Sequence, residues 1–172
     1  ILTNIDKSPK ISDAKKTQYK GEAHFLRGLY YFNLVRLFGD VPWIDKQQTA
    51  SDDLQVSRTS KDIVYQHIID DFSDAASMLP AVYENTTDIG RATKGAAFGL
   101  LAKVYLTLKR YNETLVAIDS VMNLGVYSLN RKYEWNFSDL RENGPESLFE
   151  VQYEKDVTAY SEFDILGQGG WH

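Results

Sequence analysis

Residues 21–45 read GEAHFLRGLYYFNLVRLFGDVPWID, and this stretch decides the fold. Apolar side chains recur at every third or fourth position, as in Phe25, Leu29 and Phe32, which predicts a helix. The positions between them are also mostly apolar, so little of the circumference is left for water. The pattern predicts a central helix that is buried all round, with other helices packed around it, and that ends at residues 39–42.

The bulk composition is that of an ordinary globular chain. Of the 172 residues, 43% are hydrophobic and 25% charged, which suits one domain or part of one. The net charge is −5 and no basic run occurs, so we expect no nucleic-acid partner. The absence of cysteine excludes a disulfide framework and a thiol nucleophile. The chain starts on Ile1 and ends on Gly-Gly-Trp-His, which predicts a segment of a longer protein.

Cap residues and proline breaks predict four helices. The first runs from about 13 to 38, and the second opens at residues 59–62 and ends before Pro80. The third covers 94–109 and the fourth about 111–124. The short turn between the last two makes them antiparallel neighbours.

The third and fourth predicted helices resemble a tetratricopeptide hairpin. Residues 100–118 read LLAKVYLTLKRYNETLVAI, although Thr114 stands where the repeat usually has alanine. Small residues on the third helix favour close approach by a neighbouring helix: Gly95, Ala96, Ala97, Gly99 and Ala102. After Gly125 the character changes, and 148–153 is predicted as a strand or an extended segment lying on the helices.

These observations predict an all-α fold of tetratricopeptide-like hairpins packed around the buried central helix. Minor extended segments are expected near the C-terminal end. We interpret 1–172 as one partial domain, with a helical scaffold over 13–125. Residues 126–172 begin a loop-rich region outside the repeats.

No catalytic or metal-binding constellation stands out. The histidines His24, His67 and His172 form no metal-ligand spacing, and a structural or surface role is the better interpretation. Asp70, Asp71 and Asp74 share a predicted helix, but their spacing splays Asp71 away, which favours a solvated face over a cation site. The sequence therefore predicts a protein without enzyme activity, metal or cofactor.

Two further sets of charged residues are candidates for a functional role. Glu146 and Glu150 could be a glycosidase acid pair, but nothing selects them, and an exposed loop residue and an outward-facing strand residue are the default interpretation. Arg27 and Arg36 lie on the helix predicted to be buried, and a buried charge without a partner is costly. We therefore expect both arginines to have structural partners.

The tryptophans are the more promising group. Trp43 follows the first helix in a loop, Trp135 lies in a linker, and Trp171 lies in a glycine-rich end. A sugar ring presents apolar C–H faces that stack on such side chains, so loop-borne aromatics are candidates for binding glycans. The alternative is that each ring closes the core under a loop, which is favoured for Trp135 and, less strongly, for Trp43, and is evenly balanced for Trp171. Trp171 and Trp43 are the predicted ligand-binding residues.

Four ordered blocks resemble the SusD/RagB-like family. They are GEAHFLRGLYYFNLVRLFGDVP at 21–42, RTSKDIVYQHIIDDF at 58–72, GRATKGAAFGLLAKVYL at 90–106 and ESLFEVQY at 146–153. The resemblance implies a non-catalytic protein that captures oligosaccharide or polysaccharide nutrients. It also implies a SusC-like TonB-dependent transporter as partner, and a surface-exposed place on the outer membrane through a lipid anchor outside this segment.

The resemblance also implies that most of the ligand site lies in the part of the family outside the repeats. The main alternative function is a generic tetratricopeptide scaffold that binds proteins and has no glycan site of its own. An α-helical glycosidase is the least favoured class, because no acid pair is evident.

Overall fold

The computed structural model describes residues 1–49 and 55–152. Four α-helices follow one another in these ranges: α1 (Asp13–Phe38), α2 (Lys61–Met78), α3 (Lys94–Thr107) and α4 (Tyr111–Asn123). Within the described ranges there is no β-strand, and one isolated antiparallel bridge joins Val41 to Thr59. The predicted all-α class is confirmed.

Local side-chain chemistry fixes the helix ends. Ser12 caps α1, where its hydroxyl accepts a hydrogen bond from the Lys15 backbone N–H at 3.4 Å, and Thr93 caps α3 in the same way. Gly39 ends α1 with a φ of 68°, a left-handed conformation that glycine adopts without a steric cost. These signals could be read from the sequence, so the predicted bounds agree with the observed ones within two residues.

Consecutive helices pack against each other, α1 on α2, α2 on α3 and α3 on α4. Their shared core holds large side chains that are completely or almost completely buried: Phe25, Phe32, Val64, Ile68, Phe72 and Val104. Burial of each such side chain stabilises the fold by about 1.5–3 kcal/mol. At Gly28 a Cβ atom would lie 3.0 Å from the Phe72 ring, so glycine there lets α1 and α2 approach closely.

Helix α1 is buried on one side only. Its α2-facing side holds Phe25 and Phe32, whereas Leu26 is 42%, Tyr30 65% and Leu37 75% exposed. The prediction of a helix buried all round is therefore wrong for the described residues. The physical reason is that α2 covers one flank, and no other described helix packs extensively on the remaining circumference.

Residues 126–152 form an irregular segment that packs on α3 and includes two short 3₁₀ helices, Tyr133–Phe137 and Asp139–Arg141. Tyr127 and Leu148 lie over Gly95 and Gly99, where an added Cβ would come within 2.3 Å and 2.6 Å of their side chains. Phe149 continues the contact into the core, with its ring 4.9 Å from that of Phe25. The strand that was one alternative for 148–153 does not form within the described residues, and Leu148 and Phe149 lie on the helices as the other alternative predicts. The glycines on α3, however, receive side chains of this segment and not a neighbouring helix.

Candidate functional site

The loop that carries Trp43 is tied to the helices at several points. The Tyr31 hydroxyl accepts a hydrogen bond from the Ile44 N–H at 2.8 Å. The Asp40 carboxylate accepts one from the backbone N–H of Lys61 at 2.8 Å, so it binds the first turn of α2. The loop is therefore a fixed continuation of α1.

The Trp43 ring packs between α1 and α2. The His67 ring stacks on it at 4.5 Å with an interplanar angle of 19°, and the Tyr31 ring lies at 4.2 Å. The Arg27 guanidinium lies 5.0 Å from the ring centre, a cation–π distance. Three protein groups thus surround a half-buried ring. The ligand-binding role of Trp43 stays a prediction, and any sugar must use the part of the ring that these groups leave open.

A buried carboxylate lies beside this aromatic cluster. Asp71 is 2% exposed and accepts hydrogen bonds from Arg27 Nε at 2.8 Å and Arg27 Nη2 at 2.7 Å. His24 Nδ1 lies 2.7 Å from the same carboxylate. The expectation that Arg27 has a structural partner is confirmed. The interpretation of Asp71 as part of a solvated face is wrong, since α2 turns it toward α1.

The charged state of this pair follows from its contacts. Burial acts to raise the pKa of Asp71, but the hydrogen bonds from Arg27 and His24 outweigh it and lower the pKa below the ordinary 3.8. The hydrogen bond to Asp71 raises the pKa of Arg27 in turn. The carboxylate is thus held ionised and already bonded, so its role is to join α1 to α2.

A cleft of about 250 Å³ opens between the α2–α3 connection and residues 143–150. On its first wall, Arg91 pairs with Glu22 and with Asp88, each at 2.8 Å. Tyr83 donates to the Ala92 carbonyl at 2.9 Å, and burial together with the nearby Glu22 raises the pKa of its hydroxyl. The Tyr127 hydroxyl bonds to Thr93 at the base of the cleft.

Glu150 lies on the second wall of this cleft, and Glu146 lines a neighbouring cleft to which Glu150 also contributes. Glu146 accepts a hydrogen bond from the Asn130 N–H at 2.8 Å, and Glu150 accepts one from the Asn143 N–H at 2.9 Å. Both are half-buried, so the exposed default for Glu146 is wrong. Each carboxylate organises a loop backbone. Aromatic surface and planar polar groups meet in the cleft, a combination suited to a neutral polar ligand.

The other predicted residues are distributed as follows. Trp171 and His172 lie outside the described residues. Trp135 does not close the core, and the Arg141 guanidinium lies 3.7 Å from its ring centre. Arg36 bonds to Asn33 at 2.7 Å and lies over the Phe32 ring. In the part of the chain that the structure describes, no group of three metal-ligating side chains forms, and no helix is long and apolar enough to cross a bilayer.

Sequence reasoning missed two features of the site. Asp71 falls on the buried stripe of α2 with Val64, Ile68 and Ala75, and this spacing was the available signal. Arg91 and Glu22 lie 69 positions apart and meet only through the packing of α1 against the α2–α3 connection. No local sequence pattern predicts an ion pair of this kind.

Comparisons with known proteins agree with this architecture. The SusD-like family, described as "Starch-binding associating with outer membrane", matches residues 1–106. SusD-like protein P25 of Formosa agariphila is 27% identical over 99% of this chain and 32% of its own length. A SusD superfamily protein of Parabacteroides distasonis has a TM-score of 0.80 and 32% identity, over 91% of this chain and 35% of its own.

A laminarin-binding SusD-like protein is also similar, with a TM-score of 0.79 and 29% identity over 87% of this chain and 33% of its own. The chain spans about a third of the length of the curated relatives that it matches. The matched structures share the helical hairpin arrangement described above, and the family match covers α1, α2 and most of α3. The chain belongs to the SusD-like family.

Proposed function

We propose that the protein binds an oligosaccharide or polysaccharide nutrient at the cell surface without catalysis. The observation that carries this proposal is the SusD-like match over residues 1–106, in a family described by starch binding. The similarity to a laminarin-binding protein supports the same ligand class. The described residues serve as the scaffold that holds the binding loops in place.

The proposal extends to a partner and a location. The bound glycan passes to a SusC-like TonB-dependent transporter, and a lipid anchor holds the full-length protein on the outer membrane. The family's described association with the outer membrane supports this location. Co-purification of the tagged full-length protein from native membranes tests it, and recovery without any transporter would remove the partner from the proposal.

Trp171 and Trp43 are the proposed sugar-stacking residues. Isothermal titration of the full-length protein with laminarin and starch oligosaccharides tests the ligand class. Trp171→Ala is expected to weaken binding at an unchanged melting temperature, because a ring that stacks on the sugar contributes to binding and not to the packing of the core. Trp135→Ala, a tryptophan that stacks on Arg141, is the matched control. Equal loss of stability in Trp171→Ala would make that residue part of the core, and sugar release during titration would overturn the non-catalytic assignment.

A protein-binding scaffold is the second candidate. Exposed apolar side chains on α4 favour it, with Leu115 at 60%, Val116 at 66% and Met122 at 64%. A full-length protein that binds the transporter tightly and binds no glycan on an array would support this alternative over the first.

A further inference from the structure

Asn143 and Gly144 form an Asn-Gly dipeptide, in which the side-chain amide and the following backbone nitrogen can react with each other. It is the only Asn-Gly pair in the sequence, since every other asparagine precedes a larger residue. Asn143 is exposed in a turn and has a φ of 54°, in the left-handed region. Gly144 has no Cβ, so its backbone nitrogen can approach the neighbouring side-chain amide without steric hindrance.

The Asn143 side chain also holds one wall of the cleft together. Its Nδ2 donates to Gln152 Oε1 at 2.9 Å, and Gln152 Nε2 donates back to Asn143 Oδ1 at 3.1 Å. The Asn143 backbone N–H donates to the Glu150 carboxylate at 2.9 Å. Gln152 in turn packs on Gly90, where a Cβ would lie 2.4 Å from it. One amide side chain therefore closes the loop from 143 to 152 against the α2–α3 connection.

We propose that Asn143 is a site of spontaneous deamidation that releases this loop. The Gly144 nitrogen attacks Cγ of Asn143 and a new C–N bond closes a succinimide ring. The bond from Cγ to the side-chain nitrogen breaks, and this nitrogen takes up the proton given up by the Gly144 N–H and leaves as ammonia. Water then opens the ring at either carbonyl, which gives aspartate or isoaspartate. The reaction needs water alone as co-reactant, and no redox change occurs.

The product cannot make the hydrogen bonds that the Asn143 side-chain amide makes. An aspartate at 143 has no N–H to donate to Gln152 Oε1, and it places a second carboxylate next to Glu150. An isoaspartate also adds a methylene to the backbone, which displaces the turn. Deamidation therefore detaches residues 143–150 from the α2–α3 connection and widens the cleft.

Peptide mapping by mass spectrometry tests the site on the folded full-length protein aged at neutral pH and 37 °C. We expect Asn143 to deamidate at least about tenfold faster than Asn85, an exposed loop asparagine that precedes threonine, a factor equal to about 1.4 kcal/mol in barrier height. Isoaspartyl methyltransferase labelling identifies the second product. Equal rates at Asn143 and Asn85 would overturn the proposal.

Three variants separate the chemistry from general unfolding. Gly144→Ala should slow the reaction, because the added Cβ hinders the attack, and Gln152→Ala should accelerate it, because the side-chain amide is freed. Asn143→Asp, a mimic of the product, should raise hydrogen exchange at 143–150 while leaving α1 and α2 protected. A Gly144→Ala rate equal to wild type would remove the succinimide route. Unchanged exchange in Asn143→Asp would remove the release of the loop.

Discussion

The helical scaffold and the segment that crosses it are held by different forces. In the scaffold, Phe25 and Phe72 are completely buried, and Asp71 forms a buried ion pair between two helices. In residues 126–152, Leu129 is 85% and Leu140 89% exposed among the described residues, and the contacts are hydrogen bonds and a few side chains resting on glycines.

The difference shows which contacts hold each region in its conformation. The scaffold buries its core side chains mainly between its own helices, so we expect it to keep its shape when the segment moves. The segment depends on α3 and α1 for its position, through Tyr127, Leu148 and Phe149. A region ordered by a few contacts can vary its loops without disturbing the scaffold, which suits a region that carries ligand specificity.

The largest expected effect is in the scaffold. Asp71→Ala removes the partner of Arg27 and is expected to cost about 3 kcal/mol of unfolding free energy, since breaking a buried pair leaves a charge unpaired. Chemical denaturation measures the loss. Asp70→Ala is the matched control, because Asp70 is exposed and bonds to Gln66 on the same helix. Equal losses in the two variants would contradict the role given to Asp71.

Trp43→Ala is expected to cost about 2 kcal/mol, less than a fully buried tryptophan because the ring is half-buried. The loss comes from the contacts with Tyr31, His67 and Arg27. Thermal melting and glycan titration on the same variant distinguish the two roles of this ring. Weaker binding at an unchanged melting temperature would show that its packing contributes little.

Gly95→Ala tests the contact between the two regions. The new Cβ would lie 2.3 Å from the Tyr127 ring, and overpacking should outweigh the gain in helix propensity for a net loss of about 1 kcal/mol. Hydrogen exchange should rise in 126–152 and stay unchanged in α1 and α2. Adding Tyr127→Ala should remove the clash, and failure to recover stability would place the cost inside α3.

The pH dependence of stability sharpens the same comparison. The pKa of Asp71 is lower in the folded state than in the unfolded state. The carboxylate therefore contributes its full share of the unfolding free energy at pH values above its unfolded-state pKa, and this share is lost as the pH falls through its folded-state pKa. Wild type should therefore lose more unfolding free energy than Asp71→Asn between about pH 5 and about pH 3. Parallel curves in urea titrations at several pH values would contradict the lowered pKa.

Much of the scaffold could be predicted from the sequence because its signals are local. Ser12, Thr93 and Gly39 mark helix ends through capping and backbone conformation, and the helix bounds predicted from such signals are confirmed within two residues. The prediction that α1 is buried on all sides was wrong for a physical reason. Apolar residues around a helix show which of its faces can be buried. Which faces are in fact buried depends on the other elements that pack on the helix.

The candidate site was less predictable because its contacts are long-range. The Trp43 loop was identified, but the rings and charge around it come from α1 and α2, and Arg91 meets Glu22 across 69 positions. The spacing of Asp71 with the apolar residues of α2 indicated that its side chain is buried. Its two acidic neighbours, Asp70 and Asp74, led to the interpretation as a solvated face. Trp171 stays a prediction, since it lies outside the described residues.

Hydrogen–deuterium exchange on the full-length protein, with and without a laminarin oligosaccharide, tests the central claim most directly. That claim is that a self-contained helical scaffold carries a separate glycan-binding region. The account predicts ligand-dependent protection within 126–172, around Trp171, with unchanged exchange at the buried amides of α1 to α3. Binding without protection in that region, or protection confined to the exposed face of α4, would contradict it.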